Sequence, residues 1–152
     1  MKKFVSIVSL CLLSFSVLAI DAEEFCSIIE PRVEKVLPTL PLQASETAVL
    51  TGISISLSNN ICELHYESVE DLTTLVNDYS DKNNISKSET ETFLSTDDGN
   101  EFLRAVLKKA VKGAVRNQIG DTSEYKGVRI VYTYKFNLKD VAPVEVIALE
   151  SK

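Results

Sequence analysis

Gly127-Val128-Arg129-Ile130-Val131-Tyr132-Thr133-Tyr134-Lys135-Phe136 decides the fold. A two-residue period sets Val128, Ile130, Tyr132, Tyr134 and Phe136 on one face and Arg129, Thr133 and Lys135 on the other. That alternation marks a half-buried strand. β-Branched and aromatic side chains fill it, and these suit a pleated surface packed on one side. No other stretch collects so many large apolar side chains on one face, so this strand is expected at the centre of the sheet. The rest of the chain must supply its neighbours and the layer that covers its apolar face.

After it, residues 137–142 turn the chain and Pro143 to Leu149 reads as the last strand, with proline at its first position. Before it lies a long amphipathic helix, Asn100 to Ile119. Leu103, Val106, Leu107, Ala110, Val111 and Ala114 form its buried stripe, and Arg104, Lys108, Lys109, Lys112 and Arg116 its solvated side. Gly120 is a C-terminal cap and Thr96-Asp97-Asp98-Gly99 the turn leading in. The segment Ser86 to Ser95 is rich in Ser, Thr and Glu, with only Phe93 and Leu94 to anchor it, and reads as a short helix or a mobile loop. Ser68 to Asp71 resembles a helix start, with Leu72, Leu75, Val76 and Tyr79 following at helical spacing.

Further upstream, Thr47 to Leu57 and Ile61 to Glu67 form a hairpin about Ser58-Asn59-Asn60. Val49, Thr51, Ile53, Ile55 and Leu57 share one face of its first strand, and Gly52 is a bulge position. On the second strand Cys62, Leu64 and Tyr66 face the core, and Glu63, His65 and Glu67 face away. Ala22 to Ile29 is a helix with an apolar stripe of Phe25, Cys26, Ile28 and Ile29. Pro31 kinks it or opens a second turn, and Leu37 to Leu42 should be extended between Pro38 and Pro41. The expected fold is a single α+β domain over residues 20–152: one antiparallel sheet of two hairpins, helices on one face, and one disulfide.

The N-terminus reads as a secretory signal peptide, residues 1–19. Met1-Lys2-Lys3 is basic, Phe4 to Leu18 is apolar and uncharged, and Val17-Leu18-Ala19 precedes the cleavage point. The run is too short to span a bilayer, which takes about 20 apolar residues. Cys11 follows Leu10 midway through it, so no lipidation site forms. Two cysteines then remain, Cys26 and Cys62, and in an exported chain they imply one disulfide closing a loop of about 36 residues. Loss of Lys2 and Lys3 leaves 14 of 16 basic residues against 22 acidic ones, and the net charge moves from −6 to −8. That balance disfavours nucleic acid and anionic membrane and suits a cationic protein partner.

His65 is the single histidine, set between Glu63 and Glu67. An imidazole flanked by carboxylates suits acid–base or metal chemistry, but a zinc site needs three or four ligands and no second His or free Cys is present. A Ser or Cys nucleophile would need a base and an orienting group. His65 therefore reads as an outward cross-strand neighbour, and no catalytic residue, metal or cofactor is expected. Glu70, Asp71, Asp97 and Asp98 sit where helix N-termini favour acids. Asp97-Asp98-Gly99-Asn100 has the flavour of a calcium loop without its spacing or final Glu. The acidic residues Glu89, Glu91, Asp97 and Asp98 belong to the most polar, least anchored segment and are the expected partner-binding groups.

The leader, the disulfide, Glu46-Thr47-Ala48-Val49-Leu50-Thr51-Gly52-Ile53 opening a hairpin, and Gly127-Val128 through Tyr132-Thr133-Tyr134 together resemble small periplasmic α+β proteins of Gram-negative bacteria. Two groups share this outline: periplasmic immunity proteins of type VI secretion effectors, and pilotins of type II secretion. The first resemblance implies an inhibitor that occludes a secreted toxin such as a cell-wall hydrolase. The second implies an envelope assembly partner, though pilotins of this kind carry a lipidated cysteine that this chain lacks.

Overall fold

The structure, a computed structural model, describes residues 20–152. The expected signal peptide lies outside the described residues. In chain order the elements are α1 (Ala22–Val36), β1 (Leu42–Gln43), β2 (Ala48–Ser58), β3 (Ile61–Glu70), α2 (Thr73–Asn83), α3 (Lys87–Leu94), α4 (Asp97–Ile119), β4 (Val128–Phe136) and β5 (Val144–Glu150). The class is α+β, as expected. The sheet has five strands in the order β1-β2-β3-β4-β5 rather than two hairpins alone.

Both expected hairpins are present, and both are antiparallel. They join along β3 and β4, which run parallel from Cys62↔Val128 to Glu70↔Phe136. The reason is the connection. Three helices lie between β3 and β4, and a crossover of that kind returns the chain in the same direction. β3 is thus the middle strand of the sheet, and β4 lies beside it. The apolar face read from the sequence is correct: Val128, Ile130, Tyr132 and Tyr134 are all buried. They meet Phe25, Ile29 and Val33 of α1 and Leu103, Leu107, Val111 and Val115 of α4 in one core.

Local sequence explains most element ends. Asp21 caps α1 by accepting from the Glu24 N–H at 2.9 Å. The helix runs through Pro31 and ends in a 3-10 turn, Leu37–Thr39, where extended chain was expected. Asn59 and Asn60 both have positive φ, 51° and 60°, and make the tight β2–β3 turn. The register of β2 shifts between Leu50 and Gly52. Ahead of this bulge Ala48 and Leu50 point inward, and beyond it Ile53 does, so Val49 and Thr51 fall off the expected core face.

Ser68 does not start a helix. Ladder pairing to β2 and β4 carries β3 on to Glu70, and the turn into α2 is built at Asp71. There Asn137, just after β4, accepts from the Leu72 N–H and donates to the Asp71 carboxylate, at 2.9 and 2.8 Å. The segment from Ser86 to Ser95 is helical. Ser86 and Glu89 form a capping box, Leu94 and Thr90 are buried, and Phe93 stacks on Tyr79 of α2 with ring centroids 5.3 Å apart. Phe102 of α4 meets both rings at 5.3 and 6.0 Å, so α2, α3 and α4 share an aromatic centre.

Helix α4 begins three residues before the expected start, capped by Thr96 through the Gly99 N–H. Gly99 is buried where α4 crosses α3: a Cβ there would lie 2.6 Å from the Leu94 Cα. Backbone on backbone cannot yield as a side-chain tip can. Gly99→Ala should therefore destabilise the fold by about 2–3 kcal/mol, measured by urea unfolding. A change within experimental error would mean that α3 and α4 slide apart freely.

Candidate functional site

With the helices on one face, the other face of the sheet is left open, and its side chains form a grid set by strand register. One row runs Ser56, Glu63, Arg129, Glu150; the next Ser54, His65, Val131, Ile147; the third Gly52, Glu67, Thr133, Glu145. Arg129 is held between Glu63 at 3.0 Å and Glu150 at 3.8 Å, and Lys135 reaches Glu67 at 3.5 Å. His65 Nε2 lies 2.8 Å from the Thr133 hydroxyl oxygen. The Glu63–Arg129, Glu67–Lys135 and His65–Thr133 links cross the parallel β3–β4 junction, so each of these three joins residues more than 60 positions apart in the chain. Individually such pairs stabilise little, below about 1 kcal/mol each. Their effect here is order: long side chains are held in one arrangement before any partner arrives. At the middle of the grid Val131 is only 2% exposed and Ile147 beside it is half-buried, so what the grid presents to solvent is mainly its polar and charged side chains.

His65 thus faces outward as the sequence suggests, with its ring fixed by Thr133. No group of three or more His, Cys, Asp and Glu side chains among the described residues is placed to hold a metal.

The disulfide between Cys26 and Cys62 is present, with the Cα atoms 5.7 Å apart. It ties α1 to the first turn of β3, beneath the Glu63 end of the grid. The expected partner-binding acids are placed differently from one another. Glu89 is no free contact group: its carboxylate accepts from the Ser86 N–H at 2.7 Å, and these Ser86 contacts hold its pKa below the usual carboxylate value. Glu91, Asp97 and Asp98 are exposed around the corner between α3 and α4, on well-capped helices instead of a loop.

One group escaped the sequence reading. Glu70 was read as an acid at a helix start, yet it ends β3 on the inward face, 2% exposed. Its Oε2 and the nearby Ser68 hydroxyl are buried without a hydrogen-bond partner. Burial raises its pKa from 4.5 to about 8, and the Tyr134 phenol is pushed up chiefly by its own burial, with smaller contributions from Tyr132 and Glu70. Tyr66 stacks on Tyr132 at 4.7 Å and Tyr132 on Tyr134 at 6.0 Å beside it. The signal was legible: the period Cys62, Leu64, Tyr66, Ser68, Glu70 continues without a break. No helix among the described residues is long and apolar enough to cross a membrane. No family model, no curated protein and no solved structure matches the chain.

Proposed function

We propose that this protein is an exported, periplasmic binding protein that inhibits a secreted toxin, such as a cell-wall hydrolase, in the manner of an immunity protein. The open, cross-linked sheet face carries the proposal. It is preordered by its cross-strand links, and four carboxylates, Glu63, Glu67, Glu145 and Glu150, outnumber the cations Arg129 and Lys135 on it. A cationic protein surface complements it. Glu91, Asp97 and Asp98 lie outside the grid and act at longer range, raising the association rate of such a partner. The disulfide is compatible with an oxidising compartment.

The test uses a purified periplasm-acting cell-wall hydrolase encoded in the same genome, with inhibition of cell-wall hydrolysis as the readout. Glu63→Gln/Glu67→Gln/Glu145→Gln should weaken inhibition by about tenfold or more, mainly through faster dissociation. Glu91→Gln/Asp97→Asn/Asp98→Asn should slow association about threefold at low salt and less at high salt. Should both variants inhibit like the parent, the surface is misassigned. Should the parent leave hydrolysis untouched, the inhibitor reading falls.

A further inference from the structure

A second surface adjoins the open face along β5, sharing Ile147 and Glu150 with it and adding the α4 side chains that the open face lacks. β5 is the last strand of the sheet, so one edge of its backbone has no strand partner among the described residues. Beside that edge runs a groove of about 930 Å³ between α4 and β5. At its base Val115, Ala148 and Leu149 are each under a tenth exposed, and the surface it offers is mostly polar. Its α4 wall carries Lys108, Lys112 and Arg116, all exposed and one turn apart along the helix. Among the described residues Lys108 and Lys112 form no ion pair. In a chain of net charge −6 the row of three cations on α4 outnumbers the two acids that also line the groove, Asp121 and Glu150.

The two walls match in length. Lys108 to Arg116 covers about 12 Å of helix, and Ile147 to Glu150 about 10 Å of strand. We infer that the groove between α4 and the free edge of β5 is a docking site for an extended acidic peptide segment of a partner protein, about four residues long in the groove. The segment adds to the β5 edge through backbone hydrogen bonds. It sets acidic side chains against Lys108 and Lys112 and small ones beside Ile147, the half-buried apolar residue of the strand wall. The register shift between Ile130 and Val131, opposite Ile147 and Leu149, interrupts the ladder at this place. An irregular edge of this kind resists long indiscriminate pairing and limits the docked strand to a short register. Charge then selects the occupant: a cationic segment is repelled, and a purely apolar one leaves the lysines without counterions.

The experiment measures fluorescence anisotropy of a labelled synthetic peptide of about eight residues, alternating Glu with Val or Thr, against the mature protein at low ionic strength. Saturable binding is expected, with the Lys-for-Glu peptide at least about tenfold weaker. Lys108→Glu/Lys112→Glu, a fully exposed pair whose replacement leaves the core intact, should weaken the acidic peptide by a similar factor. Two further peptides carry N-methyl groups on alternate amides, one in each phase. Only the phase whose N–H groups face β5 should lose binding. The idea is overturned if the acidic peptide does not bind, if the lysine variant binds it unchanged, or if both N-methylated phases bind alike. Sedimentation showing a dimer that takes up no peptide would overturn it too, because the edge would then belong to a second copy. Loss of toxin inhibition with intact peptide binding, or the reverse, separates this site from the open face.

Discussion

Folded stability should drop by about 3–5 kcal/mol as pH rises from about 5 to about 8, and Glu70→Gln should abolish most of that drop. The group behind it is one carboxyl, 2% exposed, with a pKa of about 8 in the fold against 4.5 ordinarily. Between those two values the folded state holds a proton that the unfolded state has released. Stability is therefore fully present below pH 4.5 and is lost as pH rises through the folded value. The sign is opposite to that of an ion-paired carboxylate. The surrounding phenols do not change it: Tyr134 is held well above its ordinary value and stays neutral throughout the window. Asp71, held low by Thr73 and Asn137, titrates below it. Urea unfolding of parent and variant at the two pH values checks the point. Near pH 5 the pair should agree within about 1 kcal/mol, since Gln replaces a neutral acid of the same shape. Near pH 8 the variant should be the more stable. Parallel pH profiles would show that Glu70 reaches water.

Removing the disulfide should cost about 4 kcal/mol in the chain-entropy model, because the bond closes a 36-residue separation in the unfolded chain. Cys26→Ala/Cys62→Ala tests it. Cys62 is fully buried at the base of β3 and Cys26 nearly so, which adds a small packing loss. The effect should extend to function, since the bond anchors α1 beneath the end of the grid that carries Glu63 and Arg129. Thiol labelling of residues 20–152, denatured without reductant, should find no free cysteine. Two labelled thiols, or a variant as stable as the parent, would count against the bond.

How much of the site was readable follows from range. Glu63, His65 and Glu67 were assigned to the outward face from period alone, correctly, because alternation is a local property of one strand. That Arg129 lies between Glu63 and Glu150, and Thr133 against His65, was not readable. Those contacts depend on β3 and β4 being parallel neighbours, and no local pattern encodes which strands meet across a three-helix crossover. The acidic stretch after Asn84 looked unanchored because its two apolar residues, Phe93 and Leu94, are few. Its anchors are the Tyr79 and Phe102 rings, which come from other helices.

The amino-acid sequence by itself determined the class, the apolar face of β4, both hairpins, the amphipathic stripe of α4 and the pairing of Cys26 with Cys62. Each rests on side-chain period, turn chemistry or arithmetic within a short span. Tertiary structure alone decided the parallel junction, the open grid and the α4–β5 groove. Each of these is a matter of which surfaces meet, and that is set by the packing of the whole core, where ladder pairing and burial outweigh the local preference of Ser68 to open a helix or of Glu70 to face water.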